Sequence, residues 1–300
     1  MIKSQGFRWS LVPILLVVAF AFLLAACGSD DDDDAESTPA SPASPAATTP
    51  ASTTAAATSP TPVPVTGEVV VFAASSLTNA FKEAGTRFEE KNPKAKVTFN
   101  FAASSALATQ INEGAPADVF ASADANQMKN VTGKGNAAES VIFAANLPVV
   151  VVPKSGSPVA SFSDLAKPGV RLVLAGPEVP VGKYAREILA NASKPAGGIS
   201  ADFAGSVLAN VKSNEANVRA VLTKVQLGEA DAGIVYSTDA AIATADVKVI
   251  EIPAAFNIIA QYPIAALKGA KNGAAARAWV AFITGPEGQA ILAQFGFRKP

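Results

Sequence analysis

The chain has 300 residues, 49% of them apolar and 16% charged, with a formal net charge of −1 and no histidine. Near-neutral charge without a basic stripe argues against a nucleic-acid partner, and a chain without histidine lacks the commonest general base and the commonest transition-metal ligand. Its single cysteine, Cys27, cannot form an intrachain disulfide, so the fold must stand on its hydrophobic core.

The first residues read as an export signal. Lys3 and Arg8 precede an apolar run over residues 11–26, broken only by Pro13. That run is short of the about 20 apolar residues a membrane-spanning helix needs. It ends in L-A-A-C at residues 24–27, and small residues before a cleavage point mark a secretory signal. A cysteine directly after them resembles a bacterial lipobox. The resemblance implies loss of residues 1–26 as a signal peptide and a lipid on the Cys27 sulfur. The protein would then sit outside the cell, anchored to the outer face of the membrane. Residues 27–66 begin with an aspartate block at 30–34 and continue in Ser, Thr, Pro and Ala. Such a segment cannot bury enough apolar surface to fold, and its prolines keep it extended, so a disordered tether is predicted.

From residue 67 onward short strands alternate with helices. The pattern predicts a strand at 69–72 and a helix at 77–90, then a strand at 97–101 and a helix at 106–113. A strand at 119–121 and a helix near 125–132 complete a βαβαβ order, which implies a parallel sheet flanked by helices. A continuous apolar strand at 147–152 changes the rhythm. A second α/β set follows, with strands at 171–174, 232–236 and 247–252 and helices at 183–190 and 214–227. A strand at 262–267 and helices at 274–283 and 286–295 end the chain. No glycine-rich nucleotide loop is present.

Two strand-to-helix turns share the string A-A-S-S, at residues 73–76 and 102–105. They place Ser75 and Ser76, and Ser104 and Ser105, where helices begin. A helix start presents unpaired N–H groups and the positive end of the dipole, which suits an anion. A serine there also serves as an ordinary N-cap, so on these residues alone both readings stand. Three further segments carry donors in the second half. Pro180, Val181, Gly182 and Lys183 open a helix, and Asn217, Val218 and Arg219 lie near the start of another. Tyr236 ends a strand, where ligands of open α/β sheets bind, although a buried tyrosine is also a common core residue.

Several ordered strings are similar to those of the periplasmic molybdate-binding protein family, the substrate-binding components of molybdate ABC transporters. They are V-F-A-A-S-S-L-T-N-A-F at 71–81, F-A-A-S-S-A-L-A-T-Q-I-N-E-G-A-P-A-D-V-F-A-S-A-D at 101–124, L-P-V-V-V-V-P-K at 147–154, G-P-E-V-P-V-G-K-Y-A at 176–185 and A-D-A-G-I-V-Y-S-T-D-A at 230–240. The resemblance covers about residues 67–297. It implies a two-domain α/β periplasmic binding protein fold of type II, each domain a mostly parallel sheet flanked by helices, with the ligand in the cleft between them. Domain 1 would comprise 67–146 plus 251–300, and domain 2 would comprise 147–250. Carried over by position, Ser76 and Ser104 would give hydroxyls, Val181 and Val218 backbone N–H groups, and Tyr236 a phenol, all to molybdate or tungstate. Val181 stands where some relatives have alanine. Ser75, Ser105 and Arg219 would support the site from behind. The resemblance further implies no enzyme activity, no cofactor, a monomer, and delivery to an ABC permease after hinge closure.

Two other readings compete. An exported serine hydrolase would use Ser76 as nucleophile, but the Gly-x-Ser-x-Gly elbow and a histidine base are missing. In the second, the same fold would hold sulfate, phosphate, a ferric complex or an organic acid. An organic acid would favour an arginine clamp, for which Arg219 is the candidate. A ferric site would favour clustered tyrosines, and the three here, Tyr184, Tyr236 and Tyr262, are scattered along the sequence.

Overall fold

The computed structural model describes residues 64–137 and 139–300, so the expected signal peptide, Cys27 and the tether up to residue 63 lie outside the described residues. Strand β1 (Thr66–Ala74) runs into a 3-10 turn (Ser75–Leu77) and helix α1 (Thr78–Lys91). Then come β2 (Lys94–Ala102), α2 (Ser104–Asn112), β3 (Val119–Ala121), α3 (Ala125–Gly133) and β4 (Val141–Asn146). The chain crosses to a second sheet with β5 (Pro148–Pro153), a 3-10 turn (Phe162–Ala166), β6 (Leu172–Ala175), α4 (Pro180–Ala192) and α5 (Phe203–Ala209). That half continues through β7 (Val211–Glu215), α6 (Val218–Gln226), β8 (Ala232–Tyr236), α7 (Ser237–Ala241) and β9 (Val247–Ile250). The chain returns to the first sheet in β10 (Ala260–Ala266) and closes with α8 (Gly273–Thr284) and α9 (Pro286–Gln294).

The two five-stranded sheets share one plan, β2-β1-β3-β10-β4 and β7-β6-β8-β5-β9. In the first, β2, β1 and β3 are parallel, while β10 and β4 add antiparallel. In the second, β7, β6 and β8 are parallel, while β5 and β9 add antiparallel. Each lobe is therefore an α/β layer structure whose three parallel strands deliver their carboxyl ends, and the helices after them, to one edge. Ligands of such sheets bind at that edge. The lobes are joined at Leu147, between β4 and β5, and by the segment between β9 and β10.

The inner strands read as continuous apolar runs because helices cover both faces. Val69, Val71 and Ala73 of β1 are fully buried, as are Val150 and Val151 of β5. In the first lobe Trp279 of α8 packs edge-on against Phe81 and Phe88 of α1, with centroids 5.7 and 5.3 Å apart. In the second, Phe162 meets Phe203 at 5.3 Å and Phe256 at 6.2 Å.

One predicted element differs. Residues 214–227 were expected as a single helix, but 211–215 form the edge strand β7 and α6 begins only at Val218. Lys212, Ser213, Asn214 and Glu215 carry no apolar alternation, so their strand character comes from parallel pairing with β6 and not from local pattern.

Gly233 in β8 lets α6 lie close to the sheet, since a Cβ there would stand 2.8 Å from Val221 Cγ1 and 3.1 Å from Val225 Cγ2. Gly233→Ala should destabilise the folded chain by about 1–3 kcal/mol through overpacking. Urea unfolding measures this, and an unchanged midpoint would contradict the packing assigned to α6.

Candidate functional site

Four helical starts converge on a small cavity between the lobes. Its walls are Ala74, Ser75 and Ser76 after β1, Ala102, Ala103 and Ser104 after β2, and Ala123 after β3. The second lobe contributes Val179, Pro180 and Val181 at the start of α4, Val218 at the start of α6, and Tyr236 at the end of β8. The space is nearly closed, with room for a water-sized sphere over only about 10 Å³, far below the roughly 300–1,000 Å³ of pockets for drug-sized organic molecules. None of the residues in this wall is charged.

The way the helices begin explains what the cavity offers. A helix leaves its first N–H groups without intrahelical partners, and a side chain normally fills them. The 3-10 turn before α1 begins at Ala74, α2 at Ala103 and α4 at Val179, and none of these has a side-chain cap. Residues of all three starts line the same space. Helix α6 is capped, but incompletely for this purpose. The Asn217 side chain accepts from the N–H groups of Arg219 and Ala220, and the Asn217 carbonyl accepts from Val221, which leaves the Val218 N–H. In contrast, α3 and α8 start at Asp124 and Asn272, whose side chains take up their own N–H groups.

Proline and glycine set the α4 terminus. Pro180 occupies the first turn, where its missing N–H costs nothing. Gly182 follows, and a Cβ there would fall 2.0 Å from the Gly176 carbonyl oxygen and 2.4 Å from that of Ala175. Only glycine lets α4 begin so close to the end of β6. Arg186 ties the same corner by donating to the carbonyls of Ala175 and Gly182 at 3.0 and 2.8 Å.

The hydroxyls are oriented by their neighbours. Ser104 Oγ accepts the Ala123 N–H at 2.9 Å, so its own hydrogen remains available as a donor. Ser76 Oγ lies 3.0 Å from Tyr262 Oη, which in turn accepts from Asn146 Nδ2 at 3.4 Å. Asn146 is held in that sense because its Oδ1 accepts from the Leu147 N–H and from Ser237 Oγ, while Nδ2 also donates to Thr238 Oγ1. With Tyr262 donating onward, the Ser76 hydrogen is freed for the cavity. Tyr236 is 1% exposed, and its buried hydroxyl has no partner among the described residues. A buried orphan of this kind calls for an explanation, and an acceptor in the cavity supplies one. Burial pushes the Tyr236 phenol well above its usual range, with neighbouring Tyr262, Tyr184, Asp124 and Asp239 acting in the same direction. It is therefore a hydroxyl donor at neutral pH.

Ser76, Ser104, Val181, Val218 and Tyr236 thus share one cavity wall, and Ser75 joins them. Ser105 does not reach it; the residue is half-buried and its carbonyl accepts from Thr109 Oγ1. Arg219 is absent from the wall too. Its guanidinium is engaged by Asp239, with Nε to Oδ1 at 2.5 Å, so it offers no clamp to an organic acid. Burial pushes the Asp239 carboxyl up to about 6, against the pull of Arg219. Sequence reasoning missed Asn146 and Tyr262 as site-shaping residues, and named Asn217 only as part of a donor segment, without its role as the cap of α6. The signal for Asn217 was legible, as an Asn directly before an apolar helical run. Asn146 and Tyr262 are 116 residues apart in the chain and meet only in the fold.

Because no wall residue titrates between neutrality and about pH 9, and Tyr236 stays protonated beyond the usual tyrosine value near 10, affinity for a permanent dianion should be flat over that interval. Asp239 titrates below it. Binding followed by titration calorimetry across this range checks the point, and a marked fall would place a titrating group in the wall.

Comparison with known proteins places this geometry. A family model described as bacterial extracellular solute-binding protein matches residues 69–298. The molybdate-binding protein ModA of Mycobacterium tuberculosis (strain ATCC 25618 / H37Rv) is 42% identical over 235 residues, covering 77% of this chain and 85% of the relative. ModA of Escherichia coli (strain K12) is 35% identical over 242 residues, covering 77% and 89%. The solved periplasmic molybdate-binding protein of Azotobacter vinelandii superposes with a TM-score of 0.66 at 20% identity, covering 77% of this chain and 99% of that one.

Proposed function

The chain belongs to the bacterial extracellular solute-binding proteins, and within them to the molybdate-binding family, and on that premise we propose that its cavity captures molybdate, and tungstate as well. The observation that carries this reading is the convergence of uncapped helix starts and oriented hydroxyls on a small space without charged walls. A tetrahedral dianion has four acceptor oxygens and no hydrogen to donate. It matches a wall built from donors alone. The donors are the hydroxyls of Ser76, Ser104 and Tyr236 and the N–H groups of Val181 and Val218, with the Ser75 turn beside them. Hydrogen bonds to a charged group contribute about 1.5–3 kcal/mol each. Half a dozen of them, less the costs of desolvation and closure, support micromolar or tighter binding, about −8 kcal/mol.

Discrimination follows from the same donors. Hydrogen phosphate would leave its own O–H without an acceptor, a loss the site cannot repair. Sulfate is a dianion but smaller, so contacts spaced for longer metal–oxygen bonds would be stretched around it. The sulfate and phosphate alternatives are disfavoured on these grounds. A hydrolase is disfavoured too, since Ser76 faces the Tyr262 phenol and not a base.

The mechanism is hinge closure. The lobes 67–146 plus 251–300 and 147–250 would pivot about the two connections, and the anion, bridging both half-sites, would shift the population toward the closed form. The closed form would dock on an ABC permease. The protein would act as a monomer outside the cell, held to the membrane through lipid on Cys27 alone.

Titration of the protein with molybdate, tungstate, sulfate and phosphate tests the assignment. One-to-one binding of the first two, with sulfate and phosphate far weaker, is expected; preference for sulfate or phosphate would overturn the named ligand. Ser104→Ala and Tyr236→Phe should each weaken molybdate binding by about 1–3 kcal/mol with the fold intact. Unchanged affinity in either variant would remove that hydroxyl from the site.

A further inference from the structure

Arg219 follows the donor Val218 on α6, yet its side chain turns away from the cavity and reaches the other lobe. Nε bonds Asp239 Oδ1 at 2.5 Å, Nη1 donates to Asn79 Oδ1 at 3.0 Å, and Nη2 lies 3.5 Å from the Ser76 carbonyl oxygen. Asp239 belongs to the second lobe, on α7, and is 0% exposed. Asn79 is exposed in the first turn of α1, and Ser76 lies in the turn before it, both in the first lobe. A guanidinium presents a rigid fork of donors, and here one branch is fixed in its own lobe while the other grips the opposite one.

We propose that Arg219 is a positioning residue, a latch that holds the cleft shut through Asn79 and steadies the Ser76 turn against the cavity, with Asp239 aiming it. The proposal rests on the oxyanion reading above and names what closes that site besides the anion. The ion pair with Asp239 lies within one lobe and survives opening. The contacts to Asn79 and Ser76 exist only when the lobes meet. An interaction made in one state and not the other is what shifts a two-state equilibrium. Asp239 also neutralises the arginine, so the anion is held by amides and hydroxyls without a fixed cation at the wall. That arrangement lets closure draw on a charged hydrogen bond while the wall keeps its donor-only character.

The test uses the full chain in detergent, with one spin label on an exposed position of each lobe and stopped-flow measurement of molybdate release. Arg219→Ala strands a buried carboxylate and is expected to reduce folding yield, so the exposed Asn79→Ala carries the test. Asn79→Ala should release molybdate about three- to tenfold faster, with its association rate and melting temperature unchanged. Without any anion, its label distances should shift toward the open form. Arg219→Lys, lacking the fork, should behave as Asn79→Ala does, and joining the two substitutions should add nothing further. Wild-type release together with wild-type label distances in Asn79→Ala would overturn the latch, as would additive effects in the double variant. Failure of the wild-type protein to bind molybdate would instead sink the oxyanion reading, while the anion-free distances would still decide the latch.

Discussion

Everything about this site depends on backbone N–H groups that the fold leaves without partners. Among the helical starts without a side-chain cap, those at Ala74, Ala103 and Val179 border one small cavity, and a fourth start, capped around one spare N–H, borders it too. Capping residues are inexpensive in sequence and stabilise a helix by typically about 1 kcal/mol. α3 and α8 of the same chain have them. Leaving the others open costs stability unless something else accepts those hydrogens. On the proposed reading an oxyanion does so, and the stability withheld from the protein alone would become binding energy and closure.

The duplicated sheet plan makes the convergence possible. Each lobe sends the carboxyl ends of three parallel strands to the cleft edge, so the turns that follow them meet face to face. Behind the wall a second layer sets the direction of each donor. Asn146 sits at the crossover between lobes and reaches Tyr262, Thr238 and the Leu147 N–H. The residue that joins the lobes is thus hydrogen-bonded to the residue that orients Ser76. The crossover between the lobes and the phenol beside Ser76 are joined through one side chain.

Much of this was legible in the sequence, and the part that was not has a physical reason. The repeated A-A-S-S turns follow strong β-branched runs, so local pattern alone placed Ser76 and Ser104 at helix starts. Tyr236 was legible as the end of a buried strand, but its orphaned hydroxyl appears only when its surroundings are known. Val181 and Val218 would act through the backbone, so their side chains carry no chemical signal, and resemblance to relatives marked them. The end of edge strand β7, Asn214 and Glu215, was read as helix, and its start not read at all, because Lys212, Ser213, Asn214 and Glu215 take their conformation from pairing with β6. Arg219 looked like a possible anion clamp, and Asp239, 20 residues further on, gives it a different occupation.

The most direct measurement is a crystal structure of the protein grown with molybdate, using the anomalous scattering of molybdenum to locate the metal without reference to the protein. The account predicts a single peak inside the cavity, with oxygens within hydrogen-bonding distance of Ser76, Ser104 and Tyr236 and of the Val181 and Val218 N–H groups. A peak elsewhere, or one coordinated by charged side chains, would contradict it.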